Sequence, residues 1–326
     1  MSVTIHDVAR RANVSISTVS RAFTSPDLVR RQTRTRVLAA ANELGYHAAA
    51  APAVPTVRTG HIGIVVPDLG NPFFTGVLDG VQARARQDDI AVLFANSAED
   101  PATEQNLVRR MATQVDGVVL CSPSMTDDQL RALAVRTTLV LLNREVPGIP
   151  SIVMDAADGM RQAIQHLAAL GHRRCAYLGG PRTSWSNAVR RQGLVEAAER
   201  HGTEVVEFGP FPPVFEGGLQ GADLALAADV TAIVAYNDLV AFGALARLNA
   251  RGVPVPDEIS LVGFDDLVFA AISAPPLTTI AMPTEAAGRA AVTILLGLLD
   301  GEADEQTTQV LDTYLIVRAT TAPPTG

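Results

Sequence analysis

HIGIVVPDLGNPFF (residues 61–74) carries the pattern that organises most of this chain. Its first half is a near-continuous run of Ile and Val, the mark of a strand covered on both faces. Asp68 follows that run and precedes Asn71-Pro72, so it is either a ligand-facing residue or a helix cap. Similar runs return at AVLFANS (91–97), DGVVLCSP (116–123), LVLLNRE (139–145), SIVMD (151–155), CAYLGG (175–180), TAIVAYN (231–237) and SLVGFDD (260–266). Helical segments separate them, which predicts doubly wound parallel sheets with helices on both faces. Residues 60–326 exceed one comfortable sheet domain, so two lobes are expected. Ligands of such sheets bind beyond the carboxyl ends of the strands, where polar residues gather here.

Before residue 60 the period changes. Ile5, Val8, Ala9 and Ala12 fall at i, i+3, i+4 and i+7, a one-sided helical stripe with Thr4 placed to cap it. Asn13 suits the left-handed backbone of a tight turn. A second helix is expected from Ser15, with Val19 and Ala22 inward and Ser17, Thr18 and Arg21 outward. A third is expected over about 32–44, burying Val37, Leu38, Ala41 and Leu44 and ended by Gly45. Three short helices with a tight turn between the first two predict an α-helical DNA-reading head.

Charge agrees with that division. The chain carries a net charge of −8, yet residues 1–59 hold eight arginines against Asp7, Asp27 and Glu43, a net of +5 that leaves −13 for the remainder. A basic head on an acidic body predicts that the head alone meets a polyanion. All 26 basic residues are arginine, a usage that extends to surfaces with no evident ligand and so reads as base composition. The opening MSVTIHDVARRANVS has no apolar signal-peptide core, and no run is long enough to span a bilayer; a cytoplasmic protein with no membrane partner is expected. Cys121 and Cys175 sit in apolar strand-like runs and read as buried thiols.

The strings TIHDVARRANVSISTVSRAF (4–23) and TRTRVLAAANELGY (33–46) closely resemble the head of the lactose-repressor (LacI/GalR) family. The resemblance implies that the second helix enters the major groove. Ile16, Ser17 and Arg21 then take the positions facing base edges, and Thr4, Ser15, Thr18, Ser20 and Thr33 those that bind phosphates. Arginine can grip guanine with a bidentate fork, while hydroxyls fix register without reading sequence. Relatives cap the third helix with serine where this chain has Arg30. In HAAAAPAVPTVRT (47–59) they carry a short helix that wedges a leucine into the minor groove. This chain has no leucine there, and Pro52 and Pro55 interrupt it. That segment reads either as a flexible linker or as a short helix with Val54 as a smaller wedge.

The body resembles the same family's effector domain through VPDLGNPFF (66–74), VMDAADG (153–159), LAALGHRRCAYLGGP (167–181), YNDLVAFGAL (236–245), LVGFDD (261–266) and PPLTTI (275–280). The resemblance implies a head over 1–46, a linker over 47–59 and a periplasmic-binding-protein-like domain over 60–326. Its first lobe would comprise about 60–154 and 284–311, its second about 155–283 and 312–326. The cleft would be lined by Asp68, Asn71, Phe73, Phe74, Asn143 and Arg144 from one lobe and Trp185, Ser186, Arg190, Asn237 and Asp265 from the other. Such residues suit a sugar or related polyol, since carboxylates, amides and guanidinium bond hydroxyls directionally and aromatic faces stack on a ring. Phe73 and Phe74 read equally as lobe core; of Asn237 and Asp238, Asp238 is read as the helix cap, and Asp266 as a brace of the strand end.

No nucleotide-binding or nucleophile-elbow motif is present, and His166 and His172 lack a second ligand pair, so neither enzyme activity, cofactor nor metal is expected. A transport solute-binding protein and a sugar-handling enzyme are the competing classes. The basic head opposes the first and the empty catalytic inventory the second. The expectation is a transcriptional repressor, a homodimer whose two heads meet a pseudo-palindromic double-stranded operator and whose affinity a small effector controls. The C-terminal DTYLIVRATTAPPTG has no heptads, so no coiled-coil tetramer is expected.

Overall fold

A computed structural model describes residues 5–16, 18–19, 22, 29–44, 58–303 and 307–325. The chain divides into two compact units between Arg58 and Thr59. In the first, helix α1 (Ile5–Ala12) and helix α2 (Arg31–Leu44) flank the segment containing helical Ile16, Thr18, Val19 and Ala22. Asn13 takes the left-handed conformation (φ 51°) between them, as a tight turn requires. Val8, Ala9, Ala12, Val19, Ala22, Val37, Ala40 and Ala41 form the core. Leu38 does not join it: at 39% exposed it lies one position past the buried stripe, and Ala40 takes the inward place. The expected cap Thr4 and the linker residues 47–57 lie outside the described residues.

The second unit holds two six-stranded sheets. The first contains β1 (His61–Val66), β2 (Ala91–Asn96), β3 (Gly117–Cys121), β4 (Thr138–Leu142), β5 (Ser151–Met154) and β11 (Thr308–Leu311), in the order β11-β5-β4-β3-β1-β2 and all parallel. The second contains β6 (Arg174–Leu178), β7 (Glu204–Phe208), β8 (Ala232–Ala235), β9 (Ser260–Asp265), β10 (Thr278–Ala281) and β12 (Tyr314–Ile316), in the order β12-β10-β9-β8-β6-β7. There only β12 runs antiparallel, against β10. Every residue of β3, β5, β8 and β9 is buried, the two-faced burial that the apolar runs predict.

Helices α3 (Pro72–Ala85), α4 (Pro101–Met111), α5 (Asp127–Ala134) and α11 (Thr284–Asp300) cover the first sheet. Helices α6 (Ala156–Leu170), α7 (Trp185–His201), α8 (Phe215–Leu226), α9 (Asp238–Ala250) and the short α10 (Val268–Ile272) cover the second. Their starts are written locally: Asn71, Asp100, Asp155 and Ser184 each accept a first-turn N–H, and Thr126 with Gln129 forms a capping box. α6 packs so closely on α7 that a Cβ at Gly193 would overlap the Ala157 carbonyl oxygen. Glycine is therefore required there.

The chain crosses between the sheets three times: at Asp155, at Met282–Pro283 and at Asp312–Thr313. Two of these crossings are tied together, because Asp155 N donates to Leu311 O (2.9 Å) and Thr313 Oγ1 to Asp155 O (2.8 Å). Gln162 clasps the same place, donating to Thr313 O and accepting from Leu315 N. Cys121 and Cys175 are free and buried. Both ring nitrogens of buried His172 are bonded, to Thr231 on one side and to Ser260 and Ala322 O on the other, and His166 meets Thr321. Both histidines brace the fold. Among the described residues no helix is long and apolar enough to cross a membrane.

Candidate functional site

The carboxyl ends of the strands in both sheets open into one solvent-connected cleft between the two lobes, the place where ligands of such sheets bind. From the first lobe Asp68, Asn71, Phe73, Phe74 and Asn143 line it, and from the second Trp185, Ser186, Arg190, Asn237 and Asp265. Arg144 is the exception: its guanidinium turns away to Asp127 (2.6 Å) on α5. The bond is charge-assisted, with the Asp127 carboxylate as acceptor.

Arg190 and Asp265 form the deepest feature. Both are buried, paired at 3.2 Å, and the guanidinium lies over Phe264 (4.0 Å) and Tyr236 (4.6 Å) while donating to Tyr236 O. Burial pushes the Asp265 carboxyl up to about 7, with Arg190 working the other way and Asp238 adding to the rise. The Nε of Arg190 and the Oδ1 of Asn143 are buried without a hydrogen-bond partner among the described residues. Asn143, only 4% exposed, uses its amide nitrogen to reach Ser122 in its own lobe and Ser186 across the cleft, both at 3.1 Å.

Backbone strain collects at the same strand ends. Glu99, Ser122, Asn143 and Asp265 all line the cleft with positive φ (58°, 45°, 57° and 120°). Non-glycine residues hold such angles only where the surroundings enforce them.

Several lining residues have no counterpart among those expected from sequence: Glu99, Ser122, Ser124, Thr183, Ser184 and Tyr236. Tyr236 was in plain view, one position before Asn237 at the end of an apolar run. Glu99 follows β2 by a loop whose path no local pattern fixes. The local roles also differ in part. Asn237, not Asp238, caps α9: its side chain accepts from Val240 N (2.9 Å) and donates to Pro213 O (2.9 Å). Asp238 is buried instead, accepting from Leu267 N (2.8 Å) and Thr279 Oγ1 (2.6 Å), and burial raises its carboxyl to about 6. Asn71 caps α3, while Asp68 accepts only a local bond from Gly70 N (2.8 Å) among the described residues. Phe73 and Phe74 belong both to the lobe core and to the cleft wall. Asp266 does brace the strand end, pairing with Arg318 at 2.6 Å.

In the head, Ile16 is 43% exposed. Ser15 and Thr18 share a hydrogen bond (2.7 Å), and Ser15 Oγ accepts from Thr18 N (3.2 Å), closing the first turn of the second helix. Thr33 is half-buried on the first turn of α2. Thr4, Ser17, Ser20 and Arg21 lie outside the described residues.

A basic helix-turn-helix head on a two-lobed body with a polar interlobe cleft defines a ligand-responsive transcription regulator. Residues 4–48 match the profile of bacterial regulatory proteins of the lacI family, and residues 164–321 that of periplasmic binding protein-like domains. The HTH-type transcriptional repressor CytR of Escherichia coli (strain K12) is 32% identical, over 98% of this chain and 96% of its own length. Among solved structures, a transcriptional regulator CelR–cellobiose complex is similar at TM-score 0.74 and 32% identity, covering 98% of this chain and 100% of that one. The lac repressor dimer bound to operator and the anti-inducer ONPF is similar at TM-score 0.75 and 29% identity, covering 99% and 100%. The chain belongs to the LacI family of bacterial transcription regulators. The relatives it matches are regulators, not enzymes.

Proposed function

We propose that this regulator acts in the cytoplasm as a homodimeric repressor whose affinity for a pseudo-palindromic operator is set by a sugar or related polyol bound between its lobes. The carrying observation is the cleft itself. Polar groups from both sheets converge there, and two buried polar atoms, Asn143 Oδ1 and Arg190 Nε, stand ready for a partner. A buried polar atom without a bond costs free energy that a hydroxylated ligand recovers. The solved relatives include one complexed with cellobiose and one dimer on its operator, which favours the same division of labour here. Asp68, Asn71, Phe73, Phe74, Asn143, Trp185, Ser186, Arg190, Asn237 and Asp265 hold the effector in this reading.

In the head, Ile16, Ser17 and Arg21 read base edges and Thr4, Ser15, Thr18, Ser20 and Thr33 meet phosphates. Exposed Val268, Phe269 and Ile272 on α10 supply an apolar surface for the partner subunit. Two measurements test the proposal. Binding of the full chain to palindromic DNA should weaken steeply as salt rises, because each neutralised phosphate releases counterions. A thermal-shift screen should find a sugar that raises the melting point and alters that DNA affinity. No binding to any palindromic DNA at low salt, or a sugar that binds without changing DNA affinity, would overturn it.

A further inference from the structure

The charged side chains of the cleft do not balance. Asp68, Glu99 and Asp265 line it against a single guanidinium, that of Arg190. Arg190 is already committed to Asp265, to Tyr236 O and to two aromatic faces. This leaves the first-lobe wall with two carboxylates, Asp68 and Glu99, and neither has an ion-pair partner among the described residues. They lie close enough that the Asp68 charge, after burial, helps to hold the Glu99 carboxyl above its ordinary value. Glu99 also acts on Tyr236 of the other lobe, so its charge is felt across the cleft.

An anion would need a compensating donor set, and the cleft does not supply one. Helices α3, α7 and α9 begin at the cleft, and helix N-termini attract anions. Their first-turn N–H groups at Phe73, Asn187 and Val240 are already taken by the side chains of Asn71, Ser184 and Asn237. Among the described lining residues the one guanidinium is that of Arg190, whose two terminal nitrogens are bonded to Tyr236 O and Asp265, so it does not offer the open fork a phosphate prefers. Among the described cleft-lining residues two buried side-chain atoms lack a partner: an acceptor on the first-lobe side, Asn143 Oδ1, and a donor on the second-lobe side, Arg190 Nε. Three acceptors thus face the ligand's first-lobe end, two of them carrying negative charge.

We infer that the effector carries no anionic group and presents donors, a protonated amine best of all, to Asp68 and Glu99; phosphorylated sugars and sugar acids are excluded. This inference rests on the cleft being the effector site. Asp68 and Glu99 are then its charge-selecting residues.

The test uses the full chain and matched probes: glucose, galactose and ribose, the 2-amino and 6-amino forms of the hexoses, and glucose 6-phosphate, galactose 6-phosphate and ribose 5-phosphate. Calorimetric affinity should fall in the order amine, neutral parent, phosphate ester, with steps of about tenfold for one charge a few ångströms from a partly screened carboxylate. Asp68→Asn and Glu99→Gln remove both charges while keeping the side-chain shapes, and together they should flatten that order, the amine losing the most affinity and the phosphate ester the least. A phosphate ester that binds tightest would overturn the inference and leave the sugar-binding reading standing. An amine no better than its parent in both wild type and double variant would overturn it as well. If no probe binds at all, the sugar reading falls and takes this inference with it.

Discussion

Glu104 offers the sharpest single perturbation, because one buried carboxylate holds a wall of the cleft. It sits on α4, is 1% exposed, and its Oε2 accepts from Ser124 N (3.0 Å) and Met125 N (3.1 Å). Ser122 and Ser124 of that loop line the cleft. Burial pushes the carboxyl from 4.5 to about 7; the two N–H groups and Arg144 oppose the rise without cancelling it. Glu104→Ala strands two buried donors, at about 1–3 kcal/mol each, so a loss of about 2–4 kcal/mol is expected after partial relaxation. Glu104→Gln behaves differently. Both bonds end on one oxygen, and an amide carbonyl has two lone pairs to accept them.

The pH dependence then has a definite sign. The folded protein holds this proton more tightly than the unfolded chain, so its share of stability is complete below about pH 4 and is lost as pH rises through about 7. Between pH 5 and 8 that share is about 2–3 kcal/mol. Urea unfolding of wild type and Glu104→Gln at pH 5, 6, 7 and 8 isolates it, since Asp238 and Asp265 contribute equally to both proteins. The glutamine variant should gain on wild type by that amount as pH rises. Parallel pH profiles, or an alanine variant as stable as the glutamine one, would refute the reasoning.

Three further outcomes follow from the same geometry. Asp265→Ala leaves the Arg190 guanidinium buried without its counter-charge and should cost about 3–5 kcal/mol, read by urea unfolding. Asp265→Asn, which keeps an acceptor, should fold well yet bind the effector at least tenfold more weakly by calorimetry; retained affinity would remove Asp265 from the site. Cys121 and Cys175, buried and with thiols pushed up to about 12, should resist an aromatic disulfide reagent in the native protein and react together in urea. Rapid native reaction of either would contradict the burial. Gly193→Ala forces a methyl group into the Ala157 carbonyl and should cost at least about 2 kcal/mol as α6 and α7 separate; an unchanged denaturation midpoint would show that the two helices have room.

What the sequence made legible followed from period and punctuation. Apolar runs ending in polar residues placed the strand ends, and through them Asn143, Asn237 and Asp265, on one rim. Cap choice was less legible. Asn237 and Asp238 are both good caps, and the distant Thr279 and Leu267 N–H decide that Asp238 goes inward. Arg144 shows the same limit. It follows Asn143 just past the end of β4, but the direction of its side chain is set by Asp127, which lies on α5. Glu104 and Glu99 bear on the cleft only because α4 and the loop before it pack there, and no local pattern announces a contact made twenty residues away. Leu38 errs for a simpler reason: the inward stripe of α2 runs through Val37, Ala40, Ala41 and Leu44, at i, i+3, i+4 and i+7, and Leu38 lies off it.

The strained strand ends and the tied crossings bear jointly on how a ligand acts. A ligand shifts a conformational equilibrium only by the difference in its affinity for the two states. With Asp155, Thr313 and Gln162 binding the crossings into one bundle, rotation of the lobes is confined to few torsions. The groups a ligand meets from the two sides are then carried rigidly. Across the cleft the Asn143–Ser186 bond already joins the lobes, and such a bond is worth only about 1 kcal/mol. Asn143 itself is held at φ 57°, a left-handed angle that asparagine tolerates. A single bond of that size does not by itself lock the lobes together. A ligand that satisfies Asn143 Oδ1 from one lobe and Arg190 Nε from the other needs to add only a few kcal/mol of differential binding to set the closure. In the proposed effector reading the sensing falls on these two atoms, one in each lobe, and Asn143→Asp, which keeps the shape but removes the bridge donor, is the substitution to which closure should respond most.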